Sequence, residues 1–303
     1  MRFIIHADDF GLSKGITDSI LDCYDHGALN STSIMATGYA FDYAVAEYKK
    51  RPGLRMSIHL NLVDGIPVLP AYQLSTLVDR KGHFYHSFQS LWLMYLTKSK
   101  KGKEEMRTQI RLELAAQIRK AVSALGDDFQ IHLDSHCHCH ILPFVFDEII
   151  NLKKMFNIVY VRIPYERFFF CSNSWASFKN YFSINLLKHY VANVLVKRRK
   201  EVLAREGVQH NDFFIGVLFV TGMSYAVVKS ALKKIKGEDG LVEVLFHPGA
   251  ALANEKHLFR KVFAHNYTAA WQLQEQRTLK SERFAGLIAN GDSLRYENIS
   301  NSR

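Results

Sequence analysis

From its first residue the chain exchanges short apolar runs for amphipathic stretches, a βα rhythm that leaves few folds open. Strands are predicted near residues 2–6, 31–36, 55–62, 129–134, 158–163, 214–220 and 241–246. Helical periodicity falls near 14–26, 40–50, 104–125, 144–156, 224–236, 266–278 and 281–289. Strands alternating with helices demand a mostly parallel sheet with helices packed outside it. Seven strand candidates point to an α/β fold of closed or nearly closed barrel type, although the count alone does not separate it from an open doubly wound sheet. At 303 residues one domain spanning 1–303 accommodates all of them.

Two stretches break the rhythm. Residues 64–102 contain Pro67, Pro70, Gly82 and the run Lys98-Ser99-Lys100-Lys101. Residues 164–212 form an insertion with Phe168-Phe169-Phe170, Trp175, Phe178, Tyr181 and Phe182, then an apolar stretch ending in Lys197-Arg198-Arg199-Lys200. Aromatic rings followed by a basic cluster suit a segment lying against an anionic membrane surface. The plainer reading is a helical lid on the barrel with a solvated, charged end.

Charge narrows the partners. Lys and Arg number 39 against 29 Asp and Glu, a surplus of +10 that normally serves an anionic partner. Nucleic acid is not expected, because Lys233, Lys234 and Lys236 lie on a predicted amphipathic helix with no recognition motif beside them. Only the short apolar run Phe3-Ile4-Ile5 precedes His6, where an export signal needs roughly 7–15 apolar residues. The nearly uncharged stretch Phe213 to Ser224 is short of the roughly 20 residues that span a bilayer. Cys23, Cys137, Cys139 and Cys171 contain no CxxC pair and no disulfide framework, so a reducing cytoplasm is the expected setting.

Chemistry gathers at the predicted strand ends, where αβ folds place their sites. Asp8-Asp9-Phe10-Gly11 follows the first strand. Adjacent carboxylates repel, so the pair points to a bound cation or a shared proton, unless one of them only caps the next helix. In Ser57-Ile58-His59-Leu60-Asn61-Leu62, alternation puts His59 and Asn61 on one strand face. A lone His there would be a core residue. The segment Ile131-His132-Leu133-Asp134-Ser135-His136-Cys137-His138-Cys139-His140 changes that weighting, since four histidines and Asp134 share one face if the segment is extended. Imidazole is the commonest transition-metal ligand, and a ligating His usually donates its other N–H to a carboxylate such as Asp134. A Cys/His zinc site is disfavoured, because Cys137 and Cys139 then face away from those histidines. His247, in Glu243-Val244-Leu245-Phe246-His247-Pro248-Gly249, either marks a turn or adds a protonatable group at the same barrel end. Arg162 either orients a carboxylate or lies on the rim.

These segments, in this order, resemble the YdjC-like carbohydrate deacetylases over nearly the whole chain. The matching pieces are Ala7-Asp8-Asp9-Phe10-Gly11-Leu12-Ser13, Thr32-Ser33 with Met35, His59-Leu60-Asn61-Leu62 with Gly65, His132 to His140 with Pro143, and His247-Pro248-Gly249. The resemblance implies a distorted (β/α) barrel and one divalent metal held by Asp9, His59 and His136. It implies Asp8 as general base and His247 as general acid, with Asp134, His138, Arg162, Asn61 and His6 around the metal or substrate. His6 replaces the family's usual Asn. The 164–212 insertion is similar to that of the longer family members, which shifts the expected substrate toward a lipid-linked sugar, with an oligosaccharide still open. The implied reaction removes an N-acetyl group from an amino sugar and releases acetate. One carboxylate and two imidazoles suit Zn²⁺, and ligand types alone do not separate it from Mg²⁺, Mn²⁺ or Co²⁺. Competing readings are a phosphoesterase or glycan hydrolase on the same scaffold, and a peripheral membrane binder with a vestigial metal site. The family resemblance also allows a homodimer, and the insertion, in a cytoplasmic protein, allows peripheral contact with the inner membrane face.

Overall fold

The computed structural model describes residues 1–171, 178–259 and 270–289. Its strands are β1 (Arg2–Phe10), β2 (Ser31–Ile34), β3 (Arg55–Leu60), β4 (Ile131–Ser135), β5 (Ile158–Val161), β6 (Phe213–Ile215) and β7 (Leu241–Phe246). The helices are α1 (Lys14–Asp25), α2 (Phe41–Tyr48), α3 (Phe88–Thr97), α4 (Lys100–Leu125), α5 (Pro143–Leu152), α6 (Ile184–Arg205), α7 (Tyr225–Lys234), α8 (Ala270–Leu279) and α9 (Glu282–Ala289). All seven strands run parallel in the order β5-β4-β3-β2-β1-β7-β6. Every residue of β2 and β7 is buried, because helices cover a parallel sheet on its outer face and side chains fill the inside.

The sheet curls until its two edges nearly meet. β5 and β6 share no ladder of their own, and the chain just before β6 closes the gap. Val161 N donates to Gln209 O at 3.0 Å and Gln209 N donates to Val159 O at 2.9 Å. Asn211 then acts as a side-chain substitute for strand pairing, accepting from Ile163 N and donating to Ile163 O, both at 2.7 Å. Edge groups that would otherwise stay unpaired are satisfied, and the outcome is the distorted (β/α) barrel.

The predicted elements differ from this structure in specific places. The strand expected over 214–220 stops at Ile215, because Gly216 (φ 146°) turns the chain so that the N–H groups of Gly216, Val217 and Leu218 all donate to Glu166. Val217, Leu218 and Phe219 are therefore a buried apolar loop, a sequence pattern indistinguishable from a buried strand. Within 64–102 the chain forms α3, capped by Ser87, and Ser99 starts α4. The helix expected over 266–278 is seen from Ala270; its first residues and Trp175 lie outside the described residues.

The 164–212 insertion is mainly α6, which packs Ala192, Val196 and Leu203 inward. Its basic end divides. Lys200 folds back to donate to Asp212 O at 2.7 Å and Arg199 lies over Phe146, whereas Lys197 and Arg198 stay exposed.

Candidate active site

Strict alternation would send Asp8 and Asp9 to opposite faces of β1. Between Ala7 and Phe10 the β1–β2 register slips by one residue, and Asp9 takes a left-handed conformation (φ 71°). That turn costs on the order of 1 kcal/mol for a residue with a Cβ, and it brings both carboxylates to one cavity. His247 leaves β7 at the same barrel end. Gly249 permits its tight exit: it has φ 84°, and a Cβ there would lie 2.1 Å from that of Ser19.

Arg162 is the hub of the floor. Wholly buried, it donates from Nε to Glu243 Oε1 at 2.6 Å and from Nη1 to Asp8 Oδ1 and Oδ2 at 2.9 and 3.1 Å. Its Nη2 lies 2.9 Å from Asp134 Oδ2. Burial works against ionisation of Asp8, but the Arg162 charge, with His59 and His6, outweighs it and holds the carboxyl well below its ordinary value. His6 sits beneath, with Nδ1 2.9 Å from Ser31 Oγ and Nε2 3.1 Å from Ser33 Oγ, 3.3 Å from Asp8 and 3.4 Å from Asp134.

Asp9, His59 and His136 face one another, with ligand atoms all within 4.8 Å. His59 Nδ1 donates to Asp134 Oδ1 at 2.6 Å, which turns Nε2 toward Asp9. That nitrogen is buried, makes no hydrogen bond and lies 3.4 Å from Asp9 Oδ1. His136 Nδ1 donates to the same Asp9 oxygen at 3.0 Å. Separations of 3.0 and 3.4 Å are those of donors sharing one ion about 2 Å away. Burial opposes protonation of both rings, yet Asp8, Asp134 and Asp9 push His59 up to about 9, and Cys137 followed by Asp9 holds His136 well above its ordinary value. The site thus calls for positive charge, and a divalent cation fits it.

The histidines of 132–140 do not share one face, because the strand ends at Ser135 and a 3₁₀ turn follows, with Cys137 and His138 both at φ 54°. His136 alone joins Asp9 and His59. His138 lines the cavity with a buried, unpartnered Nδ1. His140 is fixed between Ser135 Oγ at 2.6 Å and the Arg162 carbonyl at 2.9 Å, and His132 stacks on Tyr160. Cys137 also reaches the cavity instead of facing away, while Cys139 is buried, and no metal cluster among the described residues includes a thiol. Asn61 does not enter the cavity: its side chain donates to Thr37 Oγ1 at 2.9 Å and accepts from Val63 N at 3.0 Å, bracing the loop after β3. Arg162 lies at the centre of the barrel, not on its rim.

Sequence reasoning gave no role to Glu243, Trp271, Gln272 or Glu275. A charged residue inside the apolar run Leu241 to Phe246 was the available signal for Glu243. Glu275, on α8, accepts from His247 N at 2.6 Å and Met223 N at 3.1 Å, tying the His247 turn to the neighbouring loop. His247 Nε2 stands 3.9 Å from Asp8 Oδ2, with its ring edge-on to Trp271. Burial lowers the His247 pKa, and the charges of Asp8 and Asp9 offset part of that shift. Above this floor opens a cavity of about 430 Å³ walled by Phe88 and Trp92 of α3, Leu187 and Val191 of α6, and Trp271. Asp8 lines it but Asp134 does not, so the two do not flank a bound sugar as a glycosidase pair would.

A parallel (β/α) barrel with an Asp-His-His cluster and a further carboxylate at its strand ends defines the class: a barrel with a candidate divalent-metal centre. Residues 2–290 match the YdjC-like protein family, and the chain belongs to it. A carbohydrate deacetylase of Listeria monocytogenes serotype 4b (strain CLIP80459) is 28% identical over 249 residues, 82% of this chain and 81% of its own. One from Thermoanaerobacter pseudethanolicus is 28% identical over 246 residues, 81% and 80% of the two chains. Among solved structures, a candidate cellobiose-phosphate cleavage protein from Enterococcus faecalis V583 is similar in fold, with TM-score 0.66 and 19% identity, covering 95% of this chain and 93% of that one.

Proposed function

We propose that this protein is a metal-dependent carbohydrate N-deacetylase, hydrolysing the acetamide of an amino sugar to acetate and a free amine. The observation that carries the reading is the unpartnered, buried His59 Nε2, aimed with His136 and Asp9 at one point beside Asp8. The carbohydrate deacetylases among its relatives support the reaction class. Asp9, His59 and His136 would hold a divalent ion, with zinc or magnesium first among the candidates, which supplies Lewis-acid polarisation and a lowered water pKa when bound.

The chain's own groups supply the rest. Asp8 takes a proton from the attacking water, and Arg162 holds its carboxylate in place at the cavity by donating from Nη1 to both of its oxygens. His247 delivers a proton to the departing nitrogen, without which the amine would not leave. Its burial makes the imidazolium a ready donor. Asp134 holds the His59 ring by its Nδ1–H and so keeps Nε2 turned toward the metal position. His6 and Arg162 buttress the same carboxylates, and His138 borders the substrate space. The apolar upper walls favour a sugar carrying a lipid over a bare oligosaccharide, and a membrane as the place where it is met.

Acetate release from N-acetylglucosamine oligomers and N-acetylated glycolipids tests this. Activity should vanish with chelation, return with a divalent ion, and be lost in Asp8→Asn. A folded, metal-loaded protein that releases phosphate or reducing sugar but no acetate would overturn the proposal.

A further inference from the structure

Two helices frame the cavity mouth, and both carry apolar side chains outward beyond it. On α3, Gln89 and Trp92 line the cavity, and four residues on from each, on the same helical face, stand Leu93 (63% exposed) and Leu96 (57%). On α6, Leu187 and Val191 line it, and the stripe continues through Tyr190 (66% exposed) and Val194 (56%). Phe182, 80% exposed, precedes the helix. The apolar wall of the cavity therefore continues onto an exposed apolar lip, with Gln89 and Lys188 as the polar side chains at its border. Soluble surfaces rarely leave such contiguous apolar area without a purpose.

Charge says what covers it. From Phe178 to Lys200 the sequence holds Lys179, Lys188, Lys197, Arg198, Arg199 and Lys200 and no acidic residue. Lys179, Lys188, Lys197 and Arg198 are exposed. Beside α3, Lys98, Lys100, Lys101 and Lys103 precede the first acid, Glu104. Apolar side chains ringed by cations on a helix that does not span are the pattern of interfacial binding to anionic lipid. Among the described residues no helix is long and apolar enough to cross a membrane.

We infer that the α3–α6 rim of the cavity docks on an anionic lipid surface. The docking surface stands on its own geometry; that a lipid-anchored sugar then enters the cavity from the bilayer rests on the deacetylase reading. The full-length protein should sediment with vesicles of equimolar phosphatidylcholine and phosphatidylglycerol at low salt. It should not sediment with phosphatidylcholine alone. The double variants Tyr190→Glu/Val194→Glu and Leu93→Glu/Leu96→Glu, whose substituted residues lie outside the cavity, should each lower the bound fraction about tenfold. Hydrolysis of a soluble N-acetylated sugar should be unchanged in both, while hydrolysis of the vesicle-anchored sugar falls. Matching circular dichroism and melting curves establish that the variants fold. Native protein that ignores anionic vesicles, or variants that bind them as well as it does, would overturn the inference. So would a native dimer that the same variants convert to monomer without lipid, since a second copy would then cover the stripe. Intact vesicle binding with no acetate release from any sugar would instead refute the proposed reaction and leave the surface standing.

Discussion

Replacing Arg162 with Met removes one cation from three buried carboxylates: Glu243 at 2.6 Å, Asp8 at 2.9 Å and Asp134 at 2.9 Å. Breaking a buried ion pair from one side typically costs about 3–5 kcal/mol. The cost stays near that range despite three partners, because a stranded carboxylate escapes by taking a proton. The pH dependence separates this account from simple loss of packing. In the native protein burial raises Asp8 and Asp134, but Arg162 outweighs it and their pKa values lie below the ordinary carboxylate value. Their stabilising contribution is present at neutral pH and lost as pH falls below about 4. Without the guanidinium, burial dominates and the shift reverses sign. The folded variant then binds more protons than the unfolded chain, so its stability rises as pH falls from 7 to 5, by about 1.4 kcal/mol per unit for each carboxylate titrating. Urea unfolding followed by circular dichroism at both pH values measures this, and Arg162→Lys, which keeps the charge but not the fork, should fall between. A penalty below about 1 kcal/mol, or an equal penalty at both pH values, would refute the reasoning.

Burial and then the Arg162 charge lower the pKa of His140 to about 4, so its contribution is present above pH 6.5 and is lost as pH falls toward 4. The His140 contribution should drop by about 3 kcal/mol across that window, read as the difference in pH slope between the native protein and His140→Gln in urea titrations. Glu255 accepts from Lys14 N at 2.8 Å and from Ser13 Oγ at 3.0 Å at the start of α1, so Glu255→Ala should cost about 2 kcal/mol and speed amide exchange at residues 14 and 15. His59→Gln should reduce bound metal in elemental analysis and acetate release by at least about a thousandfold, with the fold intact by circular dichroism.

The central strands β1 and β7 were legible because Phe3-Ile4-Ile5 and Leu241-Val242 with Val244-Leu245-Phe246 form the apolar runs that a covered parallel sheet requires, whereas β2, Ser31-Thr32-Ser33-Ile34, and β3 are buried with more mixed sequences. The helix α3 was not read as such, and α6 was expected only as a helical lid somewhere within 164–212, without bounds. Phe88–Thr97 is apolar nearly all round, and α6 shows apolar residues on both its buried and exposed sides, so neither displays a one-sided period of 3.6. At the site, residue types were informative where they were out of place, as with paired aspartates after a strand or a dense histidine run. Their directions were not. Nothing local in Asp8-Asp9 reports a register slip, and the period of two in His136, His138 and His140 ends where Cys137 turns left-handed. Partners such as Ser13 and Glu255 are 242 residues apart, and only the folded barrel relates them.

The charge of the floor leads to a test of the metal centre that does not depend on activity. Asp8, Asp9, Asp134 and Glu243 are buried together, and Arg162 supplies a single fixed positive charge. Without metal, the remaining positive charge comes from protons on His59, pushed up to about 9, and on His136, held well above its ordinary value. Both rings must shed those protons to ligate an ion, so a divalent cation exchanges two protons for two charges and leaves the balance of the floor unchanged. Binding at pH 7 should therefore release about two protons, and affinity should weaken about a hundredfold for each unit of pH lost. Titration calorimetry of the chelated protein with Zn²⁺, in two buffers of different ionisation enthalpy, counts those protons directly. His136→Gln should lower the count to about one. Metal uptake with no proton release would mean that the two imidazoles are already neutral, and the charge argument for a divalent centre would fail.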